Sequence, residues 1–170
     1  MSTLWANDFV SQLRYIDSLS GEFSLQSIDE DGLVIADSHG SFAIKRPNFI
    51  YWQEVKPTER LIVSDGHWLW IDEPKIHQVQ KRLLENSPQL FSMLSWFTNP
   101  ETLEETYWIA SSDTSSSLKQ MYQLTPKQDS PIKTLSIKIQ KGVYEIITYD
   151  HLDMQSKLKL YLDDQTVELD

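Results

Sequence analysis

Four histidines and a surplus of carboxylates are the residues that could carry acid–base or metal chemistry in this 170-residue chain. His39, His67, His77 and His151 show no HExxH or paired spacing, and an exposed strand histidine is the simpler interpretation even for His77. The chain has no cysteine, no GxSxG elbow and, with five glycines, no glycine-rich phosphate loop. We therefore expect no catalytic residue, no metal site and no cofactor.

Arg46 is the charged residue with the most informative position. Strand alternation through Phe42-Ala43-Ile44-Lys45-Arg46 puts Phe42, Ile44 and Arg46 on one face and Lys45 on the other. A guanidinium therefore continues an apolar face. Either it reaches water from a strand end, or it lies beneath a helical cover and donates hydrogen bonds to backbone carbonyls there. Such charge-assisted bonds are worth about 1.5–3 kcal/mol each.

Aromatic residues are the second feature. Ordinary core packing is their default interpretation, but a curved sheet beneath a helix that is apolar on nearly all sides has more apolar surface than one interface uses. That surplus favours a cavity for an apolar ligand. The aromatic residues concerned are Trp52, Trp68, Trp70, Trp96, Trp108, Phe49, Tyr51, Phe91 and Phe97.

Two apolar helical elements must position these residues. Apolar residues at spacings of four, four and three, from Trp5 to Ile16, predict a helix over 4–19 that stops at Ser20-Gly21. Ser87-Pro88 predicts the N-cap and first turn of a second helix, apolar around most of its circumference. Asn99-Pro100 predicts a further short helix through Glu105.

Short strands with alternating polarity make up most of the remaining chain. They are predicted at 23–26, 33–36, 41–45, 49–55, 60–64, 68–71, 76–80, 134–140 and 157–162, with the strand pattern resuming at Tyr107 after the helices and a polar loop at 113–117. Asp29 to Gly32 predicts a hairpin turn, and Asp65-Gly66 predicts a type I′ hairpin. The result is one large curved antiparallel sheet, one face of which the helices at 4–19 and 88–105 must cover.

Composition limits the partners. Fifteen basic and 25 acidic residues give a net charge of −10, which repels phosphate backbones and argues against a nucleic-acid role. Forty per cent hydrophobic residues suffice for the core of one domain, predicted over 1–170. No apolar run approaches the roughly 20 residues that span a bilayer, and the first residues lack the basic and apolar regions of a secretory signal.

The ordered residues from 45 to 78 resemble the core signature of the LolA family, the periplasmic outer-membrane lipoprotein carriers of Gram-negative bacteria. The matching positions are Lys45-Arg46-Pro47-Asn48, Trp52, Pro57, Ile62-Val63-Ser64-Asp65-Gly66, Leu69-Trp70, Pro74 and Gln78. The flanks agree more loosely, through a leading helix and a helix that opens at Ser87-Pro88.

The resemblance implies a mainly β fold, an unclosed β-barrel with a helical lid over a hydrophobic cavity. It implies a monomeric carrier that takes acylated lipoproteins from an inner-membrane ABC transporter to the outer-membrane receptor LolB. The arginine of its KRP motif, here Arg46, would hold the lid through lid main chain. Candidate residues for the acyl-chain cavity are Phe42, Ile44, Phe49, Ile50, Trp52, Trp70, Leu90, Phe91, Leu94 and Phe97. Because a periplasmic carrier is made with a signal peptide, we expect these residues to be the mature region.

Two other classes of function stay open at the level of sequence. A LolB-like acceptor, or a carrier of another lipid on the same fold, would share the cavity, although an acceptor should begin at a lipidated cysteine. An enzyme that used the cleft would need two carboxylates facing the cavity, and the strand alternation places none there.

Overall fold

A computed structural model of the chain describes residues 3–86, 89–112 and 119–163. Its helices are α1 (Thr3–Arg14), α2 (Gln89–Thr98) and α3 (Leu103–Thr106), with short 3₁₀ turns at Pro74–Ile76, Leu84–Asn86 and Pro100–Thr102. Its strands are β1 (Ser18–Ile28), β2 (Val34–Lys45), β3 (Phe49–Lys56), β4 (Arg60–Asp65), β5 (Trp68–Glu73), β6 (Gln78–Leu83), β7 (Tyr107–Ser112), β8 (Lys119–Pro126), β9 (Ile132–Gln140), β10 (Val143–Asp150) and β11 (Gln155–Leu162). Among the described helices, none has both the length and the apolarity needed to cross a membrane.

The strands form one antiparallel sheet in the order β6-β5-β4-β3-β2-β1-β11-β10-β9-β8-β7. The first six strands make one meander and the last five another. Pairing of β1 with β11, with Phe23 opposite Leu160, joins the two. Strands β6 and β7 lie at the two ends of this order, so the sheet does not close on itself. The predicted mainly β fold with an unclosed antiparallel sheet is confirmed.

Strand alternation gives the sheet one buried face, which we call the inner face. In β3, for example, Ile50 and Trp52 are buried while Phe49 and Tyr51 are exposed. The helices cover the inner face, as two aromatic contacts show. The ring of Phe9 in α1 stacks on Tyr122 of β8 with centroids 4.1 Å apart, and Trp96 of α2 lies 5.7 Å from Tyr144 of β10.

The ends of several predicted elements need correction. The first helix ends at Arg14 rather than near 19, because Ser18 to Gly21 already pair with β2, Ser18 opposite Lys45. The strands predicted at 33–36 and 41–45 are one strand, β2. The short helical segment after Asn99 and the return to strand at Tyr107 are confirmed. The predicted N-cap at Ser87-Pro88 and the loop at 113–117 lie outside the described residues.

The turn between β4 and β5 differs from the predicted type I′ hairpin at Asp65-Gly66. Gly66 alone of this pair has a positive φ, of 96°, and Asp65 still belongs to β4. The Asp65 carboxylate accepts hydrogen bonds from the backbone N–H groups of Trp68 and His67, at 2.8 and 2.9 Å, and these bonds lower its pKa. The aspartate therefore stabilises the turn through its side chain rather than through its backbone dihedral angles.

Glycine is required at Gly40, where β2 approaches β3 closely. A Cβ atom built there would overlap the backbone carbonyl oxygen of Gln53, and the register of the two strands shifts between His39 and Gly40. Irregularities of this kind bend a strand and increase the local twist. Gly40 therefore permits curvature next to the strands that carry the inner-face aromatic residues.

We predict that Gly40→Ala lowers the free energy of unfolding by about 3 kcal/mol, because backbone atoms of β3 must move to admit the methyl group. Gly32→Ala is the control. Gly32 has a positive φ of 83° but open space around it, so about 1 kcal/mol of backbone strain is expected. Urea denaturation measures both. A Gly40→Ala protein as stable as Gly32→Ala would contradict the close approach.

Candidate functional site

Arg46 lies at the turn between β2 and β3, directly after Lys45, which pairs with Ser18 on one side and Phe49 on the other. The backbone N–H of Arg46 donates to the carbonyl of Asp17, 3.0 Å away, so the turn is tied to the segment that follows α1. The Arg46–Pro47 peptide bond is cis. As predicted from the alternation, Arg46 continues the series Phe42, Ile44 toward the covered side of the sheet.

The Arg46 guanidinium meets α2. Its Nε donates a 2.9 Å hydrogen bond to the carbonyl oxygen of Phe97, and its Cζ lies 4.7 Å from the centroid of the Phe97 ring. Burial lowers the pKa of Arg46, while the carboxylates of Asp17 and Glu101 act in the opposite sense. Of the two sequence interpretations, this geometry corresponds to the second, an arginine beneath the helical cover that bonds to backbone there.

Six of the ten candidate cavity residues come together beneath the helices. Each of the six is at most 3% exposed, so protein atoms rather than solvent surround it; they are Phe42, Ile44, Ile50 and Trp52 on the sheet and Leu94 and Phe97 on α2. The rings of Phe23 and Trp52 stack at a centroid distance of 3.8 Å in the same core. The arrangement is therefore a closed one, in which α2 packs on the surface that a ligand would occupy.

Two of the candidates are not in this cluster, and their predicted placement is wrong. Phe49 is 46% exposed on the outer face, where it lines a groove with Ala43 and Tyr51. Trp70 also lies outside, with Lys81 Nζ 5.4 Å from its ring centroid. The reason is register. Ser64 pairs with Leu69 across the turn, so in β5 the odd-numbered residues face inward.

The remaining two candidates are in α2. Phe91 is partly buried and packs against the core. It lines a cleft of about 510 Å³ between α2 and the sheet. On the sheet side the cleft is lined by His67 in the β4–β5 turn and by Leu83 at the end of β6. This volume is within the range of small-molecule sites. The side chain of Leu90 lies outside the described residues.

A polar stripe on α2 borders open space on two sides. Ser92, Ser95 and Asn99 recur at the spacing of one helix face. They line both the 510 Å³ cleft and a second cleft of about 270 Å³ toward α3 and Tyr107. The opposite side of the helix supplies core residues such as Phe97. Helix α2 is thus held along its inner side and has space along its edges.

Sequence reasoning missed Trp96 as a candidate site residue. Its side chain is fully buried, and its ring contacts those of Phe97, Phe9 and Tyr144 at centroid distances of 5.9, 6.4 and 5.7 Å. The polar stripe of α2 could not have identified it, because Trp96 is four residues after Ser92 and one after Ser95 and therefore borders the stripe rather than lying opposite to it.

The described part of the chain shows no candidate metal centre. Within residues 3–86, 89–112 and 119–163, no three His, Asp or Glu side chains are grouped to hold a metal ion. What the site does offer is a large apolar surface, a helix that covers it and a cation, Arg46, bonded to the backbone of that helix. These are the elements of a site for an apolar ligand.

Comparison with known proteins agrees with this geometry. Residues 14–170 match the family described as "Outer membrane lipoprotein carrier protein LolA". The outer-membrane lipoprotein carrier protein of Photobacterium profundum is 32% identical over 130 residues, which are 74% of this chain and 62% of that protein. The carrier of Xanthomonas oryzae is 32% identical over 117 residues, 69% of this chain and 56% of its own length. That of Histophilus somni is 31% identical over 161 residues, 91% of this chain and 75% of its own.

The family match extends from the end of α1 through every described strand, and it includes Arg46 and the whole of α2. The matched regions span about three-fifths of the first two relatives named above. The chain belongs to the LolA family of outer-membrane lipoprotein carrier proteins, a family of carriers rather than enzymes.

Proposed function

We propose that this chain is a periplasmic carrier that binds the acyl chains of lipoproteins released by an inner-membrane ABC transporter and delivers them to a LolB-type receptor. One observation carries the proposal: an arginine at the end of an apolar sheet face bonds to the backbone of the helix that covers that face. The relatives' names, outer-membrane lipoprotein carrier proteins, support it. The proposal includes that the chain acts in the periplasm and as a monomer.

In this proposal the acyl chains replace α2 on the inner face. Each CH₂ removed from water contributes about 0.8 kcal/mol, so one fully enclosed sixteen-carbon chain contributes about 12 kcal/mol. A site that simply retained this energy would release cargo too slowly for a carrier. The empty state therefore has to be favourable as well.

The packing of α2 on the inner face makes the ligand-free state favourable. When α2 leaves the inner face, apolar side chains such as Leu94 and Phe97, which are fully buried in the closed form, lose their present contacts. The charge-assisted bond from Arg46 to Phe97 is lost too, at a cost of about 1.5–3 kcal/mol. Ligand burial must exceed both terms, so net affinity is well below the gross burial energy.

The contacts of α2 indicate which edge opens. On the side of β8 to β10, the ring of Trp96 packs between Phe9 of α1 and Tyr144 of the sheet. On the side of β4 to β6, a cleft separates α2 from the sheet, and Arg46 bonds to the helix backbone near the end of that cleft. We propose that α2 swings from the β4–β6 side, with Arg46 as the polar contact that breaks and reforms.

The first prediction of the carrier proposal concerns the ligand class. We expect the purified protein to comigrate on gel filtration with a fluorescent triacylated lipopeptide, and not with the same peptide after deacylation, because the apolar inner face recognises the chains. Absence of comigration with either peptide, for a protein shown to be folded by circular dichroism, would contradict the carrier proposal.

The second prediction concerns Arg46. In Arg46→Leu, we expect amide hydrogen exchange of α2 to accelerate by about tenfold or more, because the closed form loses a charge-assisted bond of about 1.5–3 kcal/mol. Bound lipopeptide should also pass more slowly to acceptor liposomes. Lys45→Leu is the matched control, since it removes a neighbouring positive charge from an exposed outer-face side chain.

Arg46→Lys refines this test. A lysine keeps the positive charge but cannot reproduce the planar guanidinium that both bonds to the Phe97 carbonyl and lies over the Phe97 ring. We expect an intermediate phenotype. Exchange and transfer rates in Arg46→Leu that equal those of Lys45→Leu would remove Arg46 from the mechanism.

A further inference from the structure

Strand β2 is longer than the strand beside it. It runs from Val34 to Lys45, but its pairing with β3 begins only at His39, opposite Lys56, the last residue of β3. On its other side β2 pairs with β1 from Val34 onward. Among the described residues, none pairs with 34–38 on the β3 side. These five residues, which we call the open edge, therefore present backbone donors and acceptors that another strand could pair with.

The sequence leaves this edge both open and ordered. Pro57 follows Lys56 and has no backbone N–H, so β3 cannot continue its hydrogen bonding with β2 there. The turn that leads into β2 is fixed by Asp29, whose carboxylate accepts hydrogen bonds from the backbone N–H groups of Leu33 and Asp31, at 2.8 and 3.0 Å. The open edge therefore belongs to a defined hairpin.

The open edge and the residue before it are apolar. Leu33, Val34 and Ile35 are 64%, 53% and 57% exposed. Consecutive side chains in a strand point to opposite faces, so neither face of the hairpin end buries its apolar groups. An exposed edge with β-branched apolar residues is a template for pairing with another chain.

Charge distinguishes the open edge from the two terminal edges of the sheet. Strand β6 carries Lys81, and on β7 the Lys127 Nζ lies 4.4 Å from the centroid of the Trp108 ring. Lysine at a strand edge is a common protection against pairing. Residues 34–38 contain no lysine or arginine, and Asp37 is their one charged residue.

The hairpin that carries the open edge is acidic. Residues 18–44 include no lysine or arginine and five acidic residues: Glu22, Asp29, Glu30, Asp31 and Asp37. Of the lysines in register on neighbouring strands, Lys157 and Lys159 lie on β11, beyond β1, and Lys56 lies where the open edge begins. Charge complementarity therefore favours a basic partner. It disfavours a second copy of this chain, because the second copy has the same hairpin and a net charge of −10.

We infer that the open edge binds an extended basic segment of a partner protein by strand addition. The segment would lie beside β2 in line with β3. Its backbone would pair with residues 34–38, its apolar side chains would contact Val34 and Ile35, and its lysine or arginine side chains would meet the carboxylates of the hairpin. The open edge is at the far end of β2 from Arg46. The inference goes beyond the carrier function and does not depend on lipid binding.

The test uses a fluorescein-labelled peptide of about seven residues that alternates lysine and valine, the length and pattern of one strand. Two control peptides are matched to it. One replaces each lysine by glutamate, and the other replaces each valine by proline, which keeps the charge but prevents strand pairing. By fluorescence anisotropy, we expect the wild-type protein to bind the lysine–valine peptide at least about tenfold more tightly than either control.

Ile35→Lys is the test variant. It places a cation on the exposed open edge, as natural edges do, and should weaken binding of the lysine–valine peptide by about tenfold or more. Val79→Lys is the matched control, because it adds the same charge at a 66% exposed position on the terminal strand β6. It should leave binding unchanged. Equal losses in the two variants, or equal binding of the lysine–proline peptide, would indicate general charge attraction and overturn strand addition.

Amide hydrogen exchange of the wild-type protein locates the peptide. Bound lysine–valine peptide should slow exchange within residues 34–38 by about tenfold or more and leave β6 and β7 unchanged. Protection at β6 or β7 instead, or no binding at all, would overturn the site. A peptide-free dimer that Ile35→Lys dissociates would assign the open edge to a second copy and overturn the basic partner. Binding of triacylated lipopeptide by the same samples tests the carrier function separately, so either conclusion can fail while the other stands.

Discussion

The hydrogen bond from Arg46 Nε to the Phe97 carbonyl joins the end of an apolar sheet face to the helix that covers it. A backbone carbonyl in the last turn of a helix has no intrahelical donor, so it is available to a cation from outside. The cost of the bond is partial desolvation of the guanidinium, which lowers the pKa of Arg46. The gain is a directional contact that a purely apolar lid would lack, because apolar packing alone does not distinguish protein side chains from acyl chains.

The unclosed sheet makes this arrangement possible. A closed barrel would fix the volume of its interior, whereas edges at β6 and β7 leave one side of the curved sheet to be covered by helices. The covering helices are held in different ways. Helix α1 packs through Phe9 against Tyr122, whereas α2 combines apolar packing with a polar bond and has clefts along its polar stripe. The buried side chains of α2 are thus part of the hydrophobic core of the protein.

Period-two alternation predicted much of this from the sequence. It identified the strands and placed Arg46 after Phe42 and Ile44 on the buried side, because side-chain direction in a strand depends only on parity. Parity alone did not predict which face of the sheet a residue takes after a turn. The phase across a hairpin depends on how many residues the turn contains, and so Trp70 was assigned to the wrong face. Adjacent residues Phe49 and Ile50 cannot both face inward, and the pairing of Ile50 with Ile44 decides between them.

The orientation of α2 was the harder problem. A helix that is apolar around most of its circumference has no unique buried side, so hydrophobicity alone could not separate Trp96 from Phe91. The end of α1 was misjudged for a different reason. Local helical periodicity continued to Ile16, but Ser18 to Gly21 gain strand pairing with β2, a long-range contact that a local pattern does not contain.

A distance measurement across the cleft tests the central claim, that ligand binding displaces α2 from the inner face. The chain has no cysteine, so the double variant Ser92→Cys, His67→Cys can carry two spin labels, one on α2 and one on the β4–β5 turn, where both residues line the cleft. Pulsed electron paramagnetic resonance should show a longer distance with bound triacylated lipopeptide and no change with the deacylated peptide. An unchanged distance in protein shown to hold the acylated peptide would contradict the account.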